Sequence, residues 1–171
     1  LTTLDDWENY LTQCVQNEAA CALGALLLMN TGFLSNYTTP SFTISSAFDS
    51  GTVDTPWIVI DGQVIYSPVT DGYKDYLKRM NDWYEKGLVY RDFASYQQTF
   101  GQASMMSTGE VTLADGFYNS IDDTESDATV EGLQVKAVPY PVQKEGDTIH
   151  LRNYTYQVRP EYAMVISTAC Q

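Results

Sequence analysis

Histidine is almost missing from this chain: His150 is the only one among 171 residues. Metal sites built on two or more histidines are therefore excluded, as is the HExxH helix of metalloproteases. His150 falls in an alternating, strand-like segment, where a partly exposed structural role is expected. Cysteine is scarce too. Cys14, Cys21 and Cys170 are an odd count without C-x-x-C spacing, which argues against a disulfide framework and against a zinc site. A bridge between Cys14 and Cys21 is left open, because spacing does not reveal bridging geometry. Basic residues are few, 9 against 22 acidic ones, for a formal net charge of −13. Such a chain is repelled by phosphate backbones and anionic lipid, so no nucleic-acid partner and no membrane-surface role are expected. The longest apolar stretch, Ala19 to Met29, falls well short of the roughly 20 residues that span a bilayer. The sequence also lacks a Gly-x-Ser-x-Gly elbow, a phosphate-binding Gly-Lys loop and a dinucleotide fingerprint. No catalytic residue, metal ligand or cofactor is expected, and the chain reads as something other than an enzyme.

What is present is a supply of core. Apolar residues make up 44% and aromatics 13%, with 13 tyrosines, a composition disordered chains do not have. The length suits one ordinary domain. Acidic residues from Asp92 to Val135 are unaccompanied by Lys or Arg and read as a solvated face. Asp122, Asp123, Glu125 and Asp127 resemble a calcium loop only superficially, since the glycine and the terminal bidentate glutamate are misplaced. Asn36 and Asn153 begin Asn-x-Thr sequons, which matter only in a eukaryotic secretory setting.

The pattern of residues predicts alternating helices and strands, an α/β class. Thr3 is the expected N-cap of a first helix, with Asp6 in the capping-box position and Leu4, Trp7, Leu11, Cys14 and Val15 on one face. Residues 19 to 34 fit a buried strand or a short helix equally, and 36 to 55 read as loop with short extended pieces. Trp57 to Ile60 and Gln63 to Tyr66 flank Asp61-Gly62, a hairpin signal. A second helix carries Tyr73, Tyr76, Leu77, Met80, Trp83 and Tyr84 inward and ends at Gly87, with Leu88 making the closing contact. A weaker helix is expected over Ser95 to Ser107, a short strand over Glu110 to Ala114, and another short helix containing Phe117, Tyr118 and Ile121. Asp122 to Glu131 reads as a surface connection. Strands are expected over Leu133 to Val138, Thr148 to Val158 and Tyr162 to Thr168.

Three groups of segments, in order, resemble the sugar-type extracellular solute-binding proteins of bacterial ABC importers. Thr2 to Glu8 is similar to the threonine-capped, acidic-aromatic helix start that follows the first interlobe crossover in that family. Ile60 to Tyr66, Tyr73 to Leu77 and Trp83 to Leu88 resemble its strand, tyrosine-rich helix and Gly-Leu ending. Ser107 to Leu113, followed by an aromatic pair and later by Val135 to Pro141, resembles its Gly-containing strand and Val-x-Pro crossover. The resemblance implies one lobe of a two-lobe periplasmic-binding-protein-like fold, with helices packed around a small mixed sheet. Residues 1–136 would be most of the second lobe, and 137–171 a crossover with strands normally shared with the first lobe. The chain would then be a piece of a longer, lipid-anchored cell-surface protein, attached to the membrane only through an anchor outside this sequence.

The function so implied is reversible capture of a small-molecule solute, a sugar or oligosaccharide, for delivery to ABC permease subunits. In the family an aromatic after the strand matching Gly109 to Leu113 stacks on the sugar, and the matching position is Phe117 or Tyr118. Asp115 is the candidate hydroxyl acceptor and Asn119 a candidate donor and acceptor. Met29, Asn30 and Phe33 match a second ligand-facing loop. Many relatives carry tryptophan where Phe117 or Tyr118 stands here, which keeps amino-sugars, modified glycans and non-sugar solutes open. The alternatives are a structural cell-surface module and a fragment of a secreted carbohydrate-active enzyme.

Overall fold

A computed structural model describes residues 1–16, 26–27, 44–51, 56–91, 101–114 and 120–148. Helix α1 (Leu4–Gln16) starts where the capping box predicts. The Asp6 amide donates to Thr3 Oγ1 at 3.1 Å, and the Thr3 amide donates back to Asp6 Oδ2 at 3.0 Å. The Thr2 amide reaches the same carboxylate oxygen at 3.0 Å. These N–H groups of Thr2 and Thr3 hold the Asp6 carboxyl down at about 2. Leu4, Trp7 and Leu11 are buried along one face, and Cys14, Val15 and Tyr10 pack beside them. Cys14 carries a free thiol, and Cys21, its candidate partner, lies outside the described residues.

The hairpin forms as read, with β2 (Trp57–Ile60) antiparallel to β3 (Gln63–Tyr66). Asp61 and Gly62 both take positive φ, 50° and 77°, the pair of left-handed residues a two-residue type I′ turn needs. A short 3-10 turn, Ser67–Val69, leads directly into helix α2 (Asp71–Glu85), whose N-cap Thr70 accepts from the Tyr73 amide at 3.2 Å. The helix ends at Gly87 (φ 74°). The Gly87 amide donates to the Tyr84 carbonyl and the Leu88 amide to the Trp83 carbonyl, at 3.0 and 2.8 Å. That is a Schellman cap, and its hydrophobic contact is between Leu88 and Trp83, both fully enclosed. Leu77 departs from the expected inward face and is about half exposed. At 100° per residue it lies roughly 90° around the axis from the mean direction of Tyr76, Met80 and Trp83, outside the stripe that faces the core.

Helices α1 and α2 build one core with a third element. Residues 44–45 are helical and continue into a 3-10 turn, Ser46–Phe48, where loop and extended pieces had been expected. Ile44 and Phe48 are buried there against Trp7, Leu11, Tyr76 and Met80. Their burial outweighs the polar composition of the surrounding segment. The serines that suggested loop are themselves inside: Ser50 and Ser67 hydroxyls lie 2.8 Å apart, and Ser67 Oγ also accepts from the Gly51 amide at 2.8 Å.

A smaller cluster follows. Helix α3 (Gly101–Ser107) occupies the second half of the expected 95–107 helix, and 95–100 lies outside the described residues. It also closes in a Schellman cap, with Gly109 (φ 74°) donating to Met106 and Glu110 to Met105. Met105 and Val111 bury each other. Strand β4 is confined to Leu113–Ala114, shorter than the expected 110–114. Helix α4 (Ser120–Ser126) takes up the start of the acidic stretch read as a surface connection. Asp122 and Asp123 sit in its first turn, where the helix dipole favours them, and the Ser107 hydroxyl donates to the Thr124 carbonyl at 3.1 Å. Leu133 to Val138 is not a strand. Its alternation is right, but among the described residues no strand lies alongside to complete a ladder. The segments read as strands at 148–158 and 162–168 lie outside the described residues, apart from Thr148.

The chain is thus a mixed α/β structure: helices with a two-stranded antiparallel hairpin and a short parallel strand pair.

Candidate functional site

A short parallel strand pair joins two distant parts of the chain. Strand β1 (Leu26–Leu27) lies beside β4, with Leu26 opposite Leu113 and Leu27 opposite Ala114. This settles the ambiguity of residues 19–34 in favour of strand at those two positions. Leu113 packs against the main core, and the Gly109 cap reverses the backbone out of α3 so that β4 runs into that position. Neighbouring strands are about 4.8 Å apart. Because the two run parallel, the chain leaves both at the same carboxyl end. In open parallel α/β sheets ligands bind outside the carboxyl ends of the strands.

The residues singled out in the sequence come directly after these strands. Met29, Asn30 and Phe33 follow Leu27, while Asp115, Phe117, Tyr118 and Asn119 follow Ala114 and precede Ser120 at the start of α4. All seven lie outside the described residues, as do His150, Cys21 and Cys170. What the described part contributes is the pairing of the residues that precede these two segments, Leu27 and Ala114, which are more than eighty positions apart in sequence.

A second long-range pairing lies at the amino end of α1. The Leu4 amide donates to the Val142 carbonyl at 2.9 Å and the Val142 amide to the Thr2 carbonyl at 3.0 Å, a parallel bridge centred on Thr3 and Val142. Pro141 is buried there, and Gln143 Nε2 reaches the Ala47 carbonyl at 3.0 Å.

Among the described residues, ion pairs cluster around Glu8. Arg79 Nη1 and Trp83 Nε1 donate to its Oε2 at 2.6 and 2.9 Å, and Lys86 Nζ to its Oε1 at 2.6 Å. Asp5 and Asp82 add partners to Arg79 and Lys86. Burial raises the Glu8 carboxyl, but the bonds from Lys86, Trp83 and Arg79 outweigh it and hold the group below its ordinary value. With three donors on its two oxygens, Glu8 clamps α1 onto α2. A shallow, open depression of about 500 Å³ lies elsewhere on α2, lined by Pro68, Tyr73, Lys74, Leu77, Lys78 and Asn81. Lys78 is paired there with Asp75 at 2.8 Å. It is far too open to exclude water from a reacting centre. Among the described residues no three His, Cys, Asp or Glu side chains converge as metal ligands, and no helix is long and apolar enough to cross a membrane.

Two features escaped the sequence. One is the β1–β4 pairing, which no local signal announces. The other is the outer face of the hairpin, where Trp57, Val59, Val64 and Tyr66 are all exposed. A signal for the second was present: Trp57 to Ile60 is apolar at both parities, and a strand apolar on both sides asks for cover on both. The chain matches no family model, and comparison with curated proteins and with solved structures yields no match.

Proposed function

We propose that this chain is a solute-capture lobe of an extracellular binding protein serving an ABC importer, with a sugar or oligosaccharide as its solute. The observation that supports the reading is the parallel β1–β4 pair, whose two strands immediately precede the two candidate ligand segments in the sequence. A binding lobe needs that arrangement: distant sequence segments delivered to one edge, where an aromatic packs on the apolar face of a sugar ring and amides and carboxylates meet its hydroxyls. The Thr3–Val142 bridge supports the same reading, because the resemblance sets both segments at the interlobe boundary and here they are hydrogen-bonded side by side. Function in this proposal is capture and presentation, without covalent chemistry.

The test is a thermal-shift screen of the intact protein against mono- and oligosaccharides, amino-sugars, peptides and polyamines. A ligand at about a hundred times its Kd stabilises by roughly 2.7 kcal/mol, which moves the melting temperature by several degrees. A clear shift with a saccharide and no product in the mixture is the expected result. A flat response across the panel, or products accumulating from a glycan, would overturn the reading.

A further inference from the structure

We propose that the Lys136–Ala137 bond is a processing site for a trypsin-like endopeptidase, an enzyme whose acidic pocket takes a Lys or Arg side chain. Such an enzyme binds the chain it cuts as an added strand, held by main-chain hydrogen bonds. Chain that is already bonded within its own fold is not available until it opens. Residues 133–140 run without helix, strand, turn or bend, and from Lys136 to Tyr140 each is exposed. The backbone of Lys136, Ala137, Val138 and Pro139 forms no hydrogen bond with another described residue. Of the three residues on each side of the bond, 134–139, only Val135 is half-buried. The stretch is held at its ends instead. Upstream, the Val135 amide donates to Glu125 Oε1 at 2.8 Å. Downstream, Pro141 is buried, Val142 is bonded to the backbone of Thr2 and Leu4, and Gln143 reaches the Ala47 carbonyl. Exposed chain between anchors is where proteolytic nicking concentrates.

Composition decides the class of enzyme. Across residues 92–143 Lys136 is the only Lys or Arg. The other cations among the described residues are shielded, each in its own way. Lys74, Lys78 and Arg79 stand within α2, which must open and expose Tyr76, Met80 and Trp83 before it can be cut. Lys86 is paired with Glu8 and Asp82, both at 2.6 Å. Arg91 lies over the Tyr84 ring at 4.8 Å from its centre, and Asp92 follows it. The Lys144 amide donates to Asp147 Oδ2 at 2.9 Å within a turn, and Glu145 follows it. An acidic neighbour competes with the enzyme's acidic pocket for the cation. Alanine, small and uncharged, follows Lys136. Cleavage adds one water across the bond. The hydroxyl goes to the Lys136 carbonyl carbon and the proton to the departing Ala137 nitrogen, and the new carboxyl then passes its own proton to the new amine. The main core, from Leu4 to Val89, lies wholly before the bond, so one cut leaves it intact. Cleavage here does not depend on the chain being a capture lobe.

The test is limited proteolysis of the full chain under native conditions, with trypsin at a low ratio and the cut positions read over time by mass spectrometry. Among the cations named above, the first cut should yield one fragment ending at Lys136 and another beginning at Ala137. It should form about a hundredfold or more faster than any cut within α2, which waits on opening of the native fold. The nicked protein should keep the helical circular dichroism of the parent. Lys136→Gln should abolish this cut and leave the melting temperature unchanged. Ala137→Pro keeps the cation but replaces the amide by a proline bond, and should abolish the cut as well. A cut in α2, or at Lys86, Arg91 or Lys144, that precedes the one at Lys136 overturns the proposal. So does a Lys136–Ala137 bond that survives in the native chain while the denatured chain is cut there readily.

Discussion

At the scale of single residues, Glu8 shows how one carboxylate can decide the seating of two helices. Asp5 and Asp6 suit the helix start, and Glu8 by sequence looks like one more acidic residue of the same kind. The structure turns it inward, where Arg79, Trp83 and Lys86 converge on it. Glu8→Gln keeps the shape and removes the charge, leaving Arg79 and Lys86 weaker partners. It should cost about 1–3 kcal/mol, read as a lower denaturant midpoint with unchanged slope. At the candidate ligand loop, Phe117→Ala and Tyr118→Ala should differ. The variant that removes the stacking ring should weaken saccharide binding by roughly tenfold or more with little change in melting temperature. Large and equal destabilisation by both would remove the stacking assignment.

Among the elements, α2 and the 3-10 turn Ser46–Phe48 approach each other closely at Gly72. A Cβ on Gly72 would come 2.2 Å from the Phe48 carbonyl oxygen, a backbone atom that cannot swing aside. In an isolated helix Gly→Ala gains about 1 kcal/mol. Here Gly72→Ala should instead destabilise by roughly 1–3 kcal/mol, because the first turn of α2 must lift off the turn it packs on. Thermal melts of Gly72→Ala beside the parent give the sign directly. The same elements divide by how local their causes are. The Thr3 cap, the Asp61-Gly62 turn and the Gly87–Leu88 ending are set within a few residues and were legible. Ile44 to Phe48 was not, because its helical turns exist only against Trp7, Tyr76 and Met80. Leu133 to Val138 failed in the opposite direction, with strand alternation and no paired neighbour among the described residues.

For the whole molecule, stability and pH are linked through the amino-terminal helix. Asp6 titrates at about 2 and Glu8 below its ordinary value of 4.5, so both bind protons less readily folded than unfolded. Their contribution is complete above the unfolded values and is lost as pH falls through the folded ones. Urea midpoints should therefore change little on these groups' account between pH 7 and 5.5. They should fall below about pH 4.5, less steeply in Glu8→Gln than in the parent. A midpoint that rises on acidification over that range would contradict the clamp.

What the sequence by itself determined is the set of locally caused features: helix caps, the hairpin and its register, the amphipathic face of α2, and the absence of any motif that needs two histidines. Each depends on backbone dihedrals or on charges that are written in adjacent residues. Only the tertiary structure decided that Leu26–Leu27 lies beside Leu113–Ala114, that Thr3 meets Val142, that Glu8 is a hub and that Trp57 faces water. Those depend on which distant surfaces bury one another. Hydrophobic burial is non-directional, and so it leaves no local mark of its partner in the chain.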